Sequence, residues 1–179
     1  MTTYAALLRG VNVGGNLLKM DRLRLICAEL GLENVRTYVQ SGNIVFAAAR
    51  GNASHWAGVL ESRLSGESRL PVAVLVRTGA QIERIVAGNP FLKEKGIDPA
   101  RLHVTFLRQA PAKSAIGKLD ALAAGADRFR CAGTEIYLHC PDGYVRSKLS
   151  NNALEKALAI PATTRNWNTV RTLHEMLAG

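Results

Sequence analysis

The groups that could do chemistry concentrate in a few short polar stretches of the chain. They share hydrogen-bond donors: amides, hydroxyls, guanidinium and ammonium groups, and the accessible backbone of glycines. Such donors hold carboxylates and phosphates, most strongly where a positive charge adds to them. The candidate ligand-binding residues are Arg9, Asn12, Gly14, Gly15, Gln40, Ser41, Asn43, Lys148, Arg165 and Asn166.

Residues 10–15 have the spacing G-x-x-x-x-G between a predicted strand and a predicted helix. Backbone N–H groups of such a loop can hold a phosphate. Asn16 and Leu17 stand where a P-loop needs lysine and a hydroxyl residue, and the loop does not match G-x-G-x-x-G either. Two interpretations remain. The loop is a generic anion site to which Arg9 and Lys19 add charge, or its glycines only let the chain turn sharply out of a buried strand.

A second polar stretch, residues 163–169 (TTRNWNT), is predicted to open the last helix. Its hydroxyl and amide groups suit a helix N-terminus, where the positive end of the dipole attracts anions. Arg165 could grip such an anion with two parallel hydrogen bonds. Arg165 and Asn166 fit a cap as well as a site, whereas Trp167 falls on the apolar stripe with Val170 and is predicted to lie in the core.

Two further stretches carry the remaining candidates. Gln40, Ser41 and Asn43 crowd the tip of a predicted hairpin, where turn chemistry accounts for most of the residue types. Gln40 could line a groove if its strand face is uncovered. Ser147 and Lys148 are adjacent instead of three apart, and no G-x-S-x-G surrounds the serine, so an acyl-enzyme serine is rejected.

Neither a metal site nor a cofactor is predicted. The four histidines occur singly, without H-x-H or H-E-x-x-H spacing. Cys27, Cys131 and Cys140 lack C-x-x-C spacing and fall on apolar faces, which favours reduced, inert thiols. Carboxylates are isolated near turns, so no general acid and base can be paired. The residues leave open whether the protein is an enzyme.

The elements that must position these residues follow a repeated order. Hydrophobic periodicity predicts βαββαβα over residues 1–88, a polar linker over residues 89–101, and βαββαα over residues 100–179. Thr78 and Gln81 match a capping box, residues 114–124 are a predicted helix, and Ser150 is a predicted helix start.

Two tandem βαββα units indicate an α+β fold of ferredoxin-like type, with helices packed on mixed or antiparallel sheets. We expect a single compact unit of two similar halves. The repeat is detected in the pattern alone, without residue-level identity between the halves.

Composition bounds the function classes. The chain has 179 residues, a formal net charge of +9, 47% hydrophobic and 21% charged residues, which excludes a disordered chain, a coiled coil and a collagen-like repeat. No apolar run approaches the ~18 residues of a membrane span, and the first residues lack signal-peptide features, so we expect a cytoplasmic protein without a membrane partner. The positive charge favours anionic partners, nucleic acid included, but the 6% aromatic residues are few for stacking RNA bases.

Four strings of the sequence together resemble one bacterial family. They are residues 7–15 (LLRGVNVGG), 35–43 (VRTYVQSGN), 147–150 (SKLS) and 164–170 (TRNWNTV). On these strings the chain is similar to the family called domain of unknown function 1697, over essentially its whole length. The resemblance implies a bacterial, single-domain α+β protein. Since the family has no established activity, it implies no catalytic residues.

These observations support three functional hypotheses. The first is a binding protein that holds an anionic or phosphorylated ligand, with nucleic acid as one option, between the loop at residues 10–15 and the helix start at Arg165 and Asn166. The second is a small cytoplasmic enzyme acting on a phosphorylated metabolite, with Arg9, Gln40 and Lys148 in its pocket. The third is a structural or partner-docking protein without a ligand. The first depends on two distant segments of the chain meeting in space.

Overall fold

The computed structural model describes residues 1–11, 14–15, 18–38, 42–68 and 70–179. The chain divides into two compact units. Unit 1 comprises Met1–Glu83 with Leu173–Gly179, and unit 2 comprises Arg84–Thr172.

Unit 1 contains a four-stranded antiparallel sheet, whose strands are β1 (Thr2–Arg9), β2 (Glu33–Tyr38), β3 (Asn43–Ala48) and β4 (Ala73–Thr78). Their order in the sheet is β2-β3-β1-β4. Its helices are α1 (Met20–Glu29), α2 (Ala53–Glu67) and the first part of α3 (Gly79–Ala87). The last residues of the final helix also belong to this unit.

Unit 2 contains a second four-stranded antiparallel sheet, whose strands are β5 (Leu102–Leu107), β6 (Arg128–Ala132), β7 (Glu135–His139) and β8 (Ala162–Asn166). Their order in the sheet is β6-β7-β5-β8. Its helices are α4 (Lys113–Ile116), α5 (Asn151–Leu158) and most of α6 (Trp167–Ala178). Four short 3₁₀ helices complete the described elements: Pro90–Lys93, Pro99–Arg101, Gly117–Leu119 and Tyr144–Arg146.

The predicted α+β fold of two ferredoxin-like repeats is confirmed, and both sheets are antiparallel. The predicted order βαββαα of the second half is wrong, because β8 lies between α5 and α6. Thr163 and Thr164, which the sequence placed at a helix start, pair with β5, and β-branched residues favour such a strand. The order βαββαβα therefore occurs twice in the chain.

The helix predicted over residues 114–124 is also wrong in extent. α4 ends at Ile116, and a 3₁₀ turn continues only to Leu119. Gly117 stands at this break, and glycine has a low helix propensity. The predicted start at Ser150 is confirmed, since its hydroxyl accepts a hydrogen bond from the Ala153 N–H at 3.3 Å.

Each unit has a core between its helices and one face of its sheet. In unit 1, Tyr4, Ala6 and Leu8 of β1 alternate toward this core, as the period of a strand requires. In unit 2, the corresponding core includes Leu107 and Ile136. The helices α2 and α5 contribute leucines at the same spacing: Leu60 and Leu64, and Leu154 and Leu158.

The residue after the first of these leucines is a glutamate in both helices, and it has the same contact in both units. Glu61 accepts a hydrogen bond from the Val74 N–H on β4 at 2.9 Å, and Glu155 accepts one from the Ala162 N–H on β8 at 2.7 Å. β4 and β8 are edge strands, so each carboxylate covers an edge amide. The expectation of no identity between the halves is wrong, because LESRL at residues 60–64 and LEKAL at residues 154–158 are structurally equivalent.

Among the described residues, no helix combines the length and apolar character that crossing a bilayer requires.

Candidate functional site

The structure brings Arg9 and Asn43 to the same end of the unit 1 sheet. Arg9 is the last residue of β1, and Asn43, the first residue of β3, lies opposite Leu7. Arg9 and Leu7 share a face of β1, because side chains alternate along a strand. Asn43 is buried, and its Nδ2 donates a hydrogen bond to the Tyr38 carbonyl at 3.0 Å, which closes the hairpin.

The hairpin tip and the beginning of the glycine loop are in direct contact. The Leu8 N–H donates to the Gly42 carbonyl at 2.7 Å, so the end of β1 is fastened to the connection between β2 and β3. Two further candidates at this tip, Gln40 and Ser41, lie outside the described residues.

Gly10 supports the structural interpretation of the loop glycines. Its φ is +89°, and a Cβ built there would lie 2.8 Å from the Pro71 carbonyl oxygen. Only glycine allows both this conformation and this close approach. Gly10 therefore serves the turn out of the buried strand.

Gly14 and Gly15 behave differently. They are exposed, have φ values of +58° and +82°, and a Cβ on either would meet nothing within 4 Å. Val11 and Leu18, on either side, are both buried in the unit 1 core. The loop thus leaves the core at Val11, presents Gly14 and Gly15 to solvent and returns at Leu18. The candidate Asn12 lies outside the described residues.

The loop leads into α1, whose N-terminus is another source of donors. Lys19 occupies the N-cap, is exposed, and makes no side-chain capping hydrogen bond. The first N–H groups of a helix have no partner within the helix, so a helix start can donate hydrogen bonds to an external acceptor. The sequence already contained this signal, because Lys-Met-Asp lacks a capping hydroxyl or amide at the position before the helix.

Arg22, the next basic residue of α1, is already engaged by a carboxylate. Arg22 forms hydrogen bonds of 2.9 and 2.7 Å to the two carboxylate oxygens of Glu67. Arg63 bonds the same carboxylate and also Glu29 at 2.6 Å. These two guanidinium groups hold the pKa of Glu67 down, to about 2. Arg22 therefore fastens α1 to α2, and Arg9 and Lys19 are the other basic residues next to the loop.

Unit 2 has the same order of elements but no glycine loop between its first strand and its first helix. Its equivalent contact joins the Leu107 N–H to the Thr134 carbonyl at 2.8 Å. Its equivalent connection, from β5 to α4, is made by residues 108–112, whereas residues 10–19 connect β1 to α1. The connection that precedes the first helix is therefore longer in unit 1 than in unit 2, and α1 is also longer than α4.

The prediction that Thr163, Thr164 and Arg165 open a helix is wrong. They belong to β8, and the α6 helix begins at Trp167. Asn166 is its cap, because its Oδ1 accepts a hydrogen bond from the Thr169 N–H at 2.8 Å. The prediction that Trp167 lies in the core is confirmed.

Arg165 is held within the strand. Its Nη1 donates to the Thr163 hydroxyl at 2.6 Å and to the Thr164 carbonyl at 3.0 Å. Burial lowers the pKa of the Arg165 guanidinium to about 10, which leaves it charged at neutral pH. These contacts give Arg165 a structural role in β8.

Lys148 lines a separate cavity of about 220 Å³ within unit 2. Asp127, Asp142, Arg146 and Ser147 are among its neighbours there, and the Ser147 hydroxyl accepts a hydrogen bond from the Leu149 N–H at 3.0 Å. Lys148, Arg165 and Asn166 thus lie in unit 2, while Arg9, Gly14, Gly15 and Asn43 lie in unit 1. That the two groups share one site stays a prediction.

The described residues contain no cluster of three or more potential metal ligands. The three cysteines are free thiols. Burial raises the pKa of Cys27 to about 11 and also raises the pKa values of Cys131 and Cys140. Thiols with raised pKa values are poor nucleophiles and poor metal ligands at neutral pH.

Comparison with known proteins gives one family and one fold. A family model described as a protein of unknown function (DUF1697) matches residues 1–137. No curated protein sequence matches the chain. The solved structure of the conserved bacterial protein SP0830 from Streptococcus pneumoniae is similar, with a TM-score of 0.76, 24% sequence identity and 98% of each chain covered. This likeness supports the two-sheet architecture.

Proposed function

The chain belongs to the DUF1697 family of proteins of unknown function, and from that premise we propose that it binds an anionic, phosphorylated ligand at the glycine loop of unit 1. The ligand's charged group would lie beside Gly14 and Gly15, with Arg9, Lys19 and the first N–H groups of α1 as its donors. A cytoplasmic protein with reduced thiols would meet such ligands among phosphorylated metabolites.

One observation carries this proposal. The same chain closes the same crossover twice, and only unit 1 uses a long connection with two exposed, left-handed glycines. Neither glycine is needed to avoid a steric contact, so their role is to allow the left-handed backbone conformation of the loop. Loops with such conformations on a rigid scaffold commonly hold ligands, and backbone N–H groups before a helix favour phosphate.

The test is a ligand panel with a matched glycine control. Inorganic phosphate, pyrophosphate, ATP, a sugar phosphate and a short RNA are added, and thermal unfolding is followed by calorimetry. We expect at least one phosphorylated probe to stabilise the protein. A ligand at a hundred times its Kd raises the free energy of unfolding by about 2.7 kcal/mol.

Gly14→Ala should weaken the binding that this panel detects. Gly133→Ala is its control, because Gly133 is also exposed, has a φ of +61°, and a Cβ added there would meet nothing within 4 Å. Both substitutions place alanine in the same left-handed region, so a loss of affinity in both variants would contradict the site. An absence of stabilisation by every probe would contradict the function itself. Stabilisation by RNA alone would identify nucleic acid as the ligand class.

A further inference from the structure

Unit 1 contains an open cavity of about 430 Å³ that the anion site does not use. Thr3, Asn34, Arg36, Val45, Ala47 and Met176 are among the residues that line it. Its volume falls within the range of small-molecule sites in proteins, which is roughly 300–1,000 Å³.

The floor of the cavity is apolar. Val45 and Ala47 are alternate residues of β3 and lie on the sheet face opposite the unit 1 core, to which Phe46 between them belongs. Both residues are almost inaccessible to solvent, so the half-buried Met176 and Leu177, which also line the cavity, offer most of the apolar surface that a ligand could contact. An apolar lining of this kind favours a ligand with a hydrocarbon portion.

The wall is shaped by a bulge in the edge strand β2. The pairing of β2 with β3 shifts by one residue between Glu33 and Arg36, and Asn34 has a left-handed φ of +53°. A bulge adds a residue to one strand and redirects the side chains that follow. Asn34 and Arg36 thereby stand at the rim of the cavity.

Arg36 supplies the charge. Its Nη2 donates a hydrogen bond to the Met176 carbonyl in the last turn of α6, which holds the guanidinium at the cavity. A guanidinium has five N–H donors in a planar fork, so others are left for a ligand. The fork matches a carboxylate with two parallel hydrogen bonds.

The nearby end of α6 restricts the charge of that ligand. The C-terminal carbonyls of a helix carry a partial negative charge, equivalent to about half an elementary charge. One guanidinium can balance a monoanion beside this end, whereas a dianionic phosphate would be repelled. The cavity thus differs from the glycine loop in the charge it favours.

We propose that this cavity binds a monocarboxylic acid with a short apolar chain, with the carboxylate on Arg36 and the chain beside Met176 and Leu177, above Val45 and Ala47. The site is independent of the proposed anion site. Thr3 and Arg9 stand near opposite ends of β1, roughly 20 Å apart at about 3.3 Å per residue.

Titration calorimetry with octanoate tests the proposal, with octanol and octyl phosphate as comparison probes. We expect saturable binding of octanoate and weaker binding of both other probes. Arg36→Gln should lower octanoate affinity by at least about tenfold, since a charge-assisted hydrogen bond is lost. Ala47→Leu should lower it as well, because the added carbons fill the floor while Arg36 stays in place.

Arg50→Gln is the matched control, as an exposed arginine of the same unit outside the cavity, and it should leave octanoate binding unchanged. Circular dichroism confirms the fold of each variant. If Ala47→Leu fails to fold, Arg36→Lys replaces it and should retain only part of the affinity. Octanoate that does not bind, that binds equally after Arg36→Gln, or that binds no better than octanol would overturn the proposal. Gly14→Ala should not change octanoate affinity, which separates this site from the glycine loop.

Discussion

Two arginines in equivalent positions illustrate how single residues are used in this fold. Arg77 on β4 and Arg165 on β8 each precede a helix cap, Thr78 in one unit and Asn166 in the other. Each donates from Nη1 to the carbonyl of the residue before it, at 3.1 and 3.0 Å. A contact that recurs in both units belongs to the scaffold, so Arg165 is a poor position at which to test ligand binding.

The first prediction at this scale concerns these two arginines. Arg77→Ala and Arg165→Ala should each lower the free energy of unfolding by about 1–3 kcal/mol, because both lose hydrogen bonds and a packed aliphatic stem. Urea denaturation measures the change, and Arg50→Ala serves as the exposed control. If Arg165→Ala left stability intact but removed ligand binding, Arg165 would belong to the binding site after all.

Local contacts of single residues were predictable, whereas contacts across strands were not. The capping box is confirmed in full: the Thr78 N–H donates to Gln81 Oε1 at 2.8 Å, and the Gln81 N–H donates to Thr78 Oγ1 at 3.2 Å. Residues three apart suffice to define that pattern. The surroundings of Arg165 depend instead on its pairing with Val104, which is far away in the sequence.

At the scale of elements, the contact between a helix glutamate and an edge amide stabilises β4 and β8. Glu61→Ala and Glu155→Ala should each lower the free energy of unfolding by about 1.5–3 kcal/mol, the usual contribution of a hydrogen bond to a charged group. Glu61→Gln and Glu155→Gln keep an acceptor oxygen and should cost less. Chemical denaturation of the four variants provides the measurement, and equal losses for the alanine and glutamine variants would show that the carboxylate contact is not the cause.

The element errors have identifiable physical causes. β8 was missed because the donors of TTRN suit a helix start, and Asn166 does cap the helix that follows. What makes residues 162–166 a strand is an open edge of β5, which lies about sixty residues earlier in the chain and leaves no mark on local periodicity. α1 and α2 were predicted correctly because their apolar residues recur at helical spacing over several turns.

For the whole molecule, two histidines of unit 2 contribute to the dependence of stability on pH. His139 contacts the Phe91 ring with centroids 5.7 Å apart, and burial together with the nearby Arg128 guanidinium lowers its pKa. Burial also lowers the pKa of His103, against a smaller opposing effect of the Arg101 carbonyl. In the unfolded chain both histidines titrate near their ordinary value of about 6.5.

We therefore expect stability to fall as the pH decreases from about 7 toward 5. In this window the unfolded chain binds protons that the folded chain does not, so protonation favours unfolding. The stabilisation is complete above the unfolded pKa and is lost toward the lower folded pKa. Urea denaturation between pH 8 and pH 5 measures the slope, and the double variant His103→Gln/His139→Gln should flatten it. An increase in stability on acidification would contradict the assigned directions.

The repeated topology was predictable at this scale over the first five elements of each half, because both hydrophobic patterns carry the order βαββα; the sixth element of the second half, β8, was not predictable in this way. The candidate site was predictable only in part. The glycine loop could be found from its residue types, but the different roles of its glycines could not. Gly10 approaches the Pro71 carbonyl closely and Gly14 approaches nothing, and this difference depends on the path of the chain into β4. The cavity at Arg36 was missed, because a bulge and the last turn of α6 create it.

The sheet edges in the described part of the chain have a consequence for how the protein behaves in concentrated solution. β4 and β8 carry glutamates over their edge amides, β2 is bent by its bulge, and β6 presents Arg128 and Arg130. Each of these features opposes the addition of a strand from another molecule, which is the first step of amyloid-type aggregation. The two four-stranded sheets can thus be kept from pairing with strands of other molecules by features of their own edge strands.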